Sequence, residues 1–477
     1  MGQDGVVYPG LTFACFVAFV NADCLHYRRY KAAPFVDQLL EILRTLRVPT
    51  WTKPEITPDL TTIQKVSGSL TNAVFFVSCP SAPKTRTLLL RMYGPSSGSL
   101  ISRPRELHTL HVLSSKYNIG PRVYGTFENG RVEEYFDSEA LTAADIRDPE
   151  VSSWIGARMA ELHGVDIDAV DYDAQSQSPD GPERGVELGA KKNTRTWLPV
   201  AREVLALPGA PAEVRQSLDL DRFEHEWHLY MQWLHQKEKT EGASRRVFSH
   251  NDTQYGNLLR LRTHKEGEAA HRQVSRFCLH TPRSKFLTRC TPFFHSPHCR
   301  VIAPHPRVPA SEPSPRNTEH LIPRARQIIV VDFEYASPNP APFDIANHFH
   351  EWTANYHGPT PHILDSARYP TLQQRQNFYR AYLTHTGCHI DAPDPAIAPA
   401  LSPDALAAEM AKLESQVRVW SPASHGMWAV WGVVQAREFV EGMDGEPEFD
   451  YLGYAVCRMD AFRRELRALG IPGLPVP

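Results

Sequence analysis

The 477-residue chain has 42% hydrophobic and 22% charged residues, which is typical of a soluble globular protein long enough for two lobes. Its formal net charge of -3 argues against a nucleic-acid partner, because proteins that bind phosphate backbones usually carry a basic excess. The eight cysteines have no regular spacing, so the sequence favours a reducing compartment.

The beginning of the chain contains a short apolar stretch and then a helical pattern. Residues 8–20 are too few to span a bilayer, and no basic segment precedes them as it would in a signal peptide. We therefore expect no transmembrane segment. Residues 34–47 have apolar side chains at helical spacing and predict one helix within an N-terminal extension, residues 1–60.

The next part of the chain, residues 61–140, has the short apolar runs and turn residues of a small β-rich lobe. Strands are predicted on both sides of a turn within residues 63–77, and over residues 88–93, 122–125 and 132–136, with one helix over residues 106–113. The turn contains Gly68, Ser69, Thr71 and Asn72. This composition suits the approach of a phosphate to the backbone, and it suits a plain hairpin turn equally well.

Helical periodicity dominates residues 141–477 and predicts a larger, mainly helical lobe. The predicted helices cover residues 151–163, 223–237, 406–418, 428–442 and 454–469. A small β-rich N-lobe followed by a helical C-lobe gives an α+β fold with two lobes.

One segment interrupts the larger lobe. Residues 274–327 contain nine prolines, nine Lys or Arg and two acids, a net charge of +7, so the whole chain's -3 leaves -10 for all other residues. No periodicity is sustained, and the composition predicts a disordered insertion. Two hypotheses explain it: a basic loop beside the functional site, or a translated intron. The abrupt change in composition favours the intron.

A zinc site within this insertion is not predicted. Six of its side chains have metal-ligand chemistry, but their spacing fits no zinc motif, and a structural zinc site needs an ordered scaffold. They are Cys278, His280, Cys290, His295, His298 and Cys299.

The strongest functional signal is a pair of polar motifs that follow apolar strands. In VFSHNDTQYGNLL, Asp252 and Asn257 lie on a short loop between apolar segments, and in IIVVDFE a strand ends at Asp332. Phosphoryl transfer needs a carboxylate that orients a hydroxyl and oxygen ligands for the magnesium ions that bridge the phosphates. We therefore predict Asp252, Asn257 and Asp332 as the catalytic residues. Asn257 and Asp332 would hold Mg²⁺, with Glu334 assisting.

Together with VVDFEYASPNPAPFDIANHFHEW, these motifs resemble the choline/ethanolamine kinase family, in particular the fungal choline kinases. The resemblance runs from about Glu55 to the C-terminus with one interruption. Asp252 and Asp332 are 80 residues apart, and removal of the 54 residues of the insertion leaves 26, near the spacing that the resemblance implies. It also implies a bilobal protein-kinase-like fold, ATP as phosphate donor and Mg²⁺ as cofactor.

The resemblance further implies a nucleotide site in the N-lobe and at the connection between the lobes. Arg91 would contact the phosphates and Glu106 would hold it, although an arginine that points to solvent from an edge strand is the alternative. Adenine would bind along residues 134–136. The ATP-binding set is Gly68, Ser69, Thr71, Asn72, Arg91, Glu106, Glu134, Phe136 and Gln254.

An acceptor pocket for a cationic alcohol follows from the same resemblance. A quaternary ammonium has no hydrogen to donate, so aromatic faces beside a carboxylate are the physical means of binding it. Trp428 and Trp431 are three residues apart and share one side of a predicted helix. The choline-binding set is Glu351, Tyr356, Trp428, Trp431 and Tyr454.

Four further residues have supporting assignments. Trp352 in the HEW motif, with the tryptophan pair, favours choline over ethanolamine. Asp344 and Asn347 are expected to anchor the catalytic loops, and His250 to fix loop geometry rather than transfer protons.

The sequence as a whole predicts an ATP-dependent choline kinase that makes phosphocholine for the CDP-choline route to phosphatidylcholine. Ethanolamine kinase, or activity on both alcohols, is the first alternative, and an inactive pseudokinase or binding module is the second. The resemblance adds a cytoplasmic location and a homodimer to these expectations.

Overall fold

The computed structural model describes residues 19–20, 25, 30–66, 72–82, 84–93, 102–170, 187–262, 327–386, 401–442 and 449–475. All of them belong to one unit, which comprises residues 1–262 and 325–477. The second unit, residues 263–324, lies outside the described residues, and so do the six candidate zinc ligands and the predicted insertion up to residue 326.

Six strands from the first part of the chain form one sheet. They are β1 (Phe19–Val20), β2 (Thr62–Lys65), β3 (Asn72–Ser78), β4 (Leu88–Tyr93), β5 (Val123–Phe127) and β6 (Gly130–Glu134). Their order is β1-β5-β6-β4-β3-β2, and every neighbouring pair except β1 and β5 is antiparallel. The strands predicted for this part of the chain are confirmed, with small shifts of their ends.

A helix close to the start of the chain completes the core of this sheet. Helix α1 (Ala33–Thr45) buries Phe35 and Leu39 in the same apolar cluster as the strand residues Phe75 and Leu90. Because each such burial contributes about 1.5–3 kcal/mol, α1 stabilises the sheet directly. Helix α2 (Arg103–Lys116) follows β4 and carries Glu106 in its first turn.

The remaining helices make up most of the larger lobe. They are α3 (Pro149–Leu162), α4 (Ile167–Val170), α5 (Gly189–Ala206), α6 (Ala212–Leu218), α7 (Leu220–Glu241), α8 (Ala341–Glu351), α9 (Leu372–His385), α10 (Pro403–Gln435), α11 (Arg437–Val440) and α12 (Tyr451–Leu469). The predicted α+β fold is confirmed. Among the described residues, no helix combines the length and the apolar character needed to cross a bilayer.

Helix α10 corrects one prediction, because the helices expected over residues 406–418 and 428–442 are mostly one element. Its 33 residues continue through Pro422, which cannot donate a backbone hydrogen bond. The carbonyl of Val419, in the turn before the proline, accepts a hydrogen bond of 2.8 Å from the hydroxyl of Tyr230. The proline removes the helical donor to the carbonyl of Arg418, and the Tyr230 hydroxyl connects the same turn to α7.

Two helices were missed by the sequence analysis. All eleven residues of α8 are buried, and this segment was interpreted as part of a motif rather than as a helix. Helix α5 contains Pro199, which reads as a helix breaker in the sequence.

Five short strands position the polar motifs. They are β7 (Ser138–Ala140), β8 (Arg246–Ser249), β9 (Leu258–Leu261), β10 (Ile328–Val330) and β11 (Ser337–Pro340). Strand β9 pairs with β7 and β10, and β8 pairs with β11, all antiparallel. As a result, the loop after β8 and the loop after β10 lie side by side.

Candidate active site

The loop after β8 is held by one buried carboxylate at the start of α8. Asp344 is fully buried and accepts the backbone N–H groups of His250 (2.9 Å) and Asn251 (2.8 Å). The side-chain amide of Asn347, one turn later, donates to the carbonyl of Asn251 at 2.9 Å. Asn251 has a φ of 67°, a left-handed conformation that asparagine tolerates better than most residues. The anchoring roles predicted for Asp344 and Asn347 are confirmed.

His250 connects this loop to the loop after β10. Its Nδ1 accepts the backbone N–H of Asp252 at 3.2 Å, so its Nε2 carries the hydrogen and donates to the carbonyl of Val331 at 3.0 Å. Burial lowers the pKa of His250, which keeps the ring neutral. The structural role predicted for this residue is confirmed by these contacts.

Asp252 and Asn257 form a hydrogen-bonded pair on the first loop. The amide nitrogen of Asn257 donates to both the carbonyl oxygen and the Oδ2 of Asp252, each at 2.9 Å. Its amide oxygen is the atom with the right chemistry for a hard cation. The carbonyl of Gln254 accepts the backbone N–H of Asn257 at 3.1 Å, so Gln254 shapes the turn of this loop.

Asp332 lies beside this pair and faces a cation. The N–H of Val331, the residue before it, donates to the carbonyl of Asn257 at 3.0 Å. Arg91 on β4 donates from Nη1 to both carboxylate oxygens of Asp332 at 3.3 Å. Burial acts to raise the pKa of Asp332, but attraction to Arg91 and to Arg131 outweighs it and lowers that pKa. Asp332 is therefore held as a carboxylate.

The surroundings of Asp252 raise its pKa, whereas those of Asp332 lower the pKa of that residue. Burial raises the pKa of Asp252 well above the usual range, and repulsion from Glu351, Asp332 and Glu334 raises it further, while the hydrogen bond from Asn257 opposes the shift. These interactions place Asp252 within electrostatic range of all three acids. A carboxylate in such surroundings is a better proton acceptor than an ordinary aspartate.

Three acids form a cluster that suits a divalent cation. One oxygen from each of Glu106, Asp332 and Glu334 lies within 4.8 Å of the others. Among the described residues, the Oε2 of Glu334 has no hydrogen-bond partner although it is buried. Burial, with repulsion from Asp332 and Glu106, raises the pKa of this residue to about 8. An unpartnered oxygen among carboxylates fits Mg²⁺, a hard cation that takes oxygen ligands.

Glu106 differs from its expected role as the partner of Arg91. Its salt bridges go to Arg103 (2.7 Å) and Arg131 (2.8 Å), whereas Arg91 pairs with Asp332 and, at 3.6 Å, with Glu133. The reason is Arg131, which is 1% exposed on the neighbouring strand β6 and occupies the place between the two carboxylates of Glu106 and Glu133.

Arg131 and Glu133 were missed by the sequence analysis. Their signal was present, because two charged residues alternate with Val132 in the strand GRVEE. An alternation of this kind usually marks a solvated face, whereas both side chains are buried here.

The structure describes only some of the other residues that are expected to bind ATP. Glu134 ends β6 and Phe136 precedes β7, so the segment predicted for adenine connects the two sheets. The carbonyl of Phe136 accepts the hydroxyl of Ser138 at 3.0 Å. Asn72 begins β3, but its side chain lies outside the described residues, as do all of Gly68, Ser69 and Thr71.

The predicted acceptor residues converge in a ring cluster. The ring centroids of Trp428 and Trp431 are 5.0 Å apart, and those of Trp431 and Tyr454 are 5.9 Å apart. Tyr356 donates its hydroxyl to Oε2 of Glu351 at 2.6 Å. The indole N–H of Trp428 donates to Oδ1 of Asn347 at 2.9 Å, and Asn347 holds the loop that carries Asp252, so the cluster adjoins the catalytic loop.

Several members of this cluster were not predicted. Tyr335 packs against Trp428 with centroids 5.2 Å apart and accepts the indole N–H of Trp431 at 2.8 Å. Phe449 lies 5.6 Å from Tyr454. Both residues are aromatic neighbours of motifs that were recognised, but their sequence positions do not reveal which core they join.

Trp352 does not belong to this ring cluster, so its predicted contribution to choline preference is wrong. It is 1% exposed and packs edge-on against Phe349, and its indole N–H points to His348 at 3.3 Å. The guanidinium of Arg147 lies 5.2 Å from its ring. Trp352 directly follows Glu351 in the sequence, and consecutive residues at helical spacing point to different faces.

The buried His348 makes the stability of the fold depend on pH. Its Nδ1 lies 2.9 Å from the carbonyl of Thr253, and its Nε2 accepts the indole N–H of Trp352. Burial lowers the pKa of His348 to about 4. Because an unfolded histidine titrates near 6.5, the unfolded chain binds more protons in this window, and stability falls as the pH falls from about 6.5 to about 4.

We expect the substitution His348→Gln to lower the melting temperature at pH 7.5, because it removes two buried hydrogen bonds. It should also flatten the loss of stability between about pH 6.5 and 4. Thermal unfolding measured across this range tests both effects. The exposed His228 provides the control His228→Gln, which should change neither. An unchanged pH profile for His348→Gln would contradict the assignment.

Comparison with known proteins supports the family resemblance over most of the chain. Residues 63–463 match the family model described as choline/ethanolamine kinase. A choline kinase of Schizosaccharomyces pombe is 31% identical over 478 aligned residues, which cover 92% of this chain and 90% of that protein. A choline kinase of Saccharomyces cerevisiae is 28% identical over 488, covering 91% and 76%.

A solved structure is similar in fold. The structure of choline kinase from Cryptosporidium parvum has a TM-score of 0.58 at 21% identity, and the alignment covers 92% of this chain and 97% of that one. At this identity the likeness concerns the fold alone, which is the protein-kinase-like fold that the sequence predicted.

Proposed function

Because this chain belongs to the choline/ethanolamine kinase family, we propose that it transfers the γ-phosphoryl group of ATP to the hydroxyl of choline. The products are phosphocholine and ADP, and the reaction is the first step of the CDP-choline route to phosphatidylcholine. The observation that carries this proposal is that the loop bearing Asp252 contacts the segment that leads to Asp332 and, through Asn347, also contacts Trp428 of the ring cluster.

The proposed reaction forms one bond, breaks one bond and transfers one proton to Asp252. The choline oxygen forms a bond to the γ-phosphorus, the bond from that phosphorus to the β–γ bridging oxygen breaks, and Asp252 accepts the hydroxyl proton. Arg91, which contacts Asp332 in this structure, would be the cation that contacts the phosphates.

A divalent cation supplies charge neutralisation for the phosphates when it is bound, and magnesium is the ion we propose. Glu334, Asp332 and the amide oxygen of Asn257 would hold it, with Glu106 at the edge of the same cluster. A cytoplasmic location and a homodimer are further parts of the proposal that follow from the family resemblance.

The ring cluster supports choline as the acceptor. Aromatic faces attract a trimethylammonium group, which needs no hydrogen-bond acceptor. Ethanolamine is the second candidate, because Glu351 is also an acceptor for a primary ammonium. Release of ADP, measured in a coupled assay with each alcohol, tests the proposal. A higher kcat/KM for ethanolamine would reverse the choice, and no ADP release with either would support a pseudokinase.

The strands β9 and β10 make a prediction about the insertion. Arg260 and Ile328 are paired in the antiparallel register, so the chain leaves and re-enters the fold at neighbouring points. We expect deletion of residues 274–327, which joins Gln273 to Ile328, to preserve folding and ADP release. The remaining residues are enough to connect two adjacent antiparallel strands.

The deletion is tested by thermal unfolding and by the coupled assay with choline, beside the full chain. Asp332→Asn in the deletion background serves as a control, because it should remove any activity that arises from the proposed site. A deleted protein that folds but has lost ADP release would show that the insertion has a functional role. A transcript that contains the segment would exclude the intron.

A further inference from the structure

Arg458 is a buried cation inside a pocket that is proposed to bind a cation. It lies on α12 one turn after Tyr454, and its side chain is 0% exposed. Nε donates to the hydroxyl of Tyr454 at 2.9 Å, and Nη2 donates to Oε1 of Glu351 at 3.0 Å. Nη1 lies 3.4 Å from Nδ1 of His425. Each guanidinium nitrogen therefore has a partner, as a buried arginine requires.

The charge of Arg458 is retained in this position. Burial acts to lower its pKa, but attraction to Tyr454, Glu351 and Tyr356 outweighs it and raises that pKa. Burial, with repulsion from Arg458 and Arg464, lowers the pKa of His425 well below the usual range, so this ring is neutral and able to accept a hydrogen bond. The charge of Glu351 is thus balanced by the protein before any substrate binds.

Both carboxylate oxygens of Glu351 are occupied by protein donors. Oε1 accepts from Arg458 at 3.0 Å and Oε2 accepts from the hydroxyl of Tyr356 at 2.6 Å. Glu351 is itself only 2% exposed. Each oxygen therefore has a protein donor already, and the acceptor capacity left for a ligand is reduced.

This arrangement has different consequences for two kinds of ammonium group. A primary ammonium carries three N–H donors, and each of them loses a water partner when the group enters the pocket. A trimethylammonium group has no donors to satisfy and is attracted by ring faces. The quaternary cation therefore loses fewer hydrogen bonds to water than the primary ammonium when it enters the pocket.

We propose that Arg458 is a positioning residue that sets acceptor specificity: with Tyr356, it withholds Glu351 from hydrogen-bonding amines and so favours quaternary over primary amino alcohols. The inference rests on the proposed function and deepens it. Arg458 acts through Glu351 and does not touch the reacting atoms.

Two variants test this inference independently. Tyr356→Phe removes the donor to Oε2 of Glu351 while it keeps the ring and leaves no charge unpaired. Arg458→Lys keeps the positive charge, but an ammonium cannot span Tyr454 and Glu351 with the fixed fork of a guanidinium. In each variant we expect the ratio of kcat/KM for choline to that for ethanolamine to fall on the order of tenfold, mainly through KM.

Arg463→Lys is the matched control. Arg463 lies on the same helix and also pairs with a buried glutamate, Glu226, at 2.9 Å, but it is not part of the ring cluster. Its substitution should leave the ratio unchanged. Thermal unfolding shows which variants are folded, and if Arg458→Lys is not, Tyr356→Phe alone decides.

An unchanged ratio in the folded variants overturns the inference, and so does a ratio that changes only through kcat. Dissociation constants of choline and ethanolamine, measured by quenching of tryptophan fluorescence, give a second reading that does not need turnover. If the unsubstituted protein phosphorylates neither alcohol, the proposed function fails, while the two dissociation constants still test the inference.

Discussion

The substitution Asp252→Asn is expected to lower kcat with choline by about a thousandfold, because it removes the proton acceptor while it preserves shape. The same change should leave the melting temperature equal or higher. Burial and repulsion from three neighbouring acids raise the pKa of Asp252, so its ionised form is disfavoured by the fold at neutral pH. A neutral amide relieves that repulsion, and activity and stability should therefore change in opposite directions.

This expectation is tested by the coupled ADP-release assay together with thermal unfolding at pH 7.5 without added metal. Asp221→Asn is a suitable control, because this exposed aspartate pairs only at the surface with Arg202. It should change neither kcat nor the melting temperature by much. Residual turnover near that of the unsubstituted protein would remove Asp252 from its proposed role.

The parts of the site that could be predicted are those in which a short motif fixes both residue type and position. Asp252 and Asn257 lie on one loop, and Asp332 lies two residues after the end of β10, so their placement follows from local sequence alone. Trp428 and Trp431 were predictable for the same reason, because they are separated by one helical step. In each case, local geometry determines which face of the element the side chain occupies.

The parts that could not be predicted depend on contacts between distant segments. Arg131 pairs with Glu106 and so separates it from Arg91. Arg458 donates to Glu351, although the two residues are 107 positions apart in the sequence. A buried charge has no sequence signature, because the same residue on a solvated face gives the same pattern. Helix α8 was missed because its residues were interpreted only as part of a motif.

The substitution Asp332→Asn should also abolish most activity, and here stability should fall with it. The pKa of Asp332 is lowered, because attraction to Arg91 and Arg131 outweighs its burial, so the fold stabilises an ionised form that a neutral amide could not supply. We expect kcat to fall by roughly a thousandfold or more and the free energy of unfolding by on the order of 1–3 kcal/mol. Asp332 has a φ of 68°, which asparagine also adopts, so the backbone itself does not oppose the change.

The two aspartate variants therefore serve as controls for each other. Both remove one carboxylate from the same cleft, but only Asp332→Asn deprives the buried Arg91 of a partner, which leaves Glu133 at 3.6 Å as its remaining salt bridge. Thermal unfolding in EDTA should separate them, and the rise in melting temperature on addition of Mg²⁺ with ATP should be lost in Asp332→Asn alone. Equal shifts in both variants would mean that Arg91 does not select between the two carboxylates, and the assignment of Asp332 to the metal and Asp252 to the proton would have no physical basis.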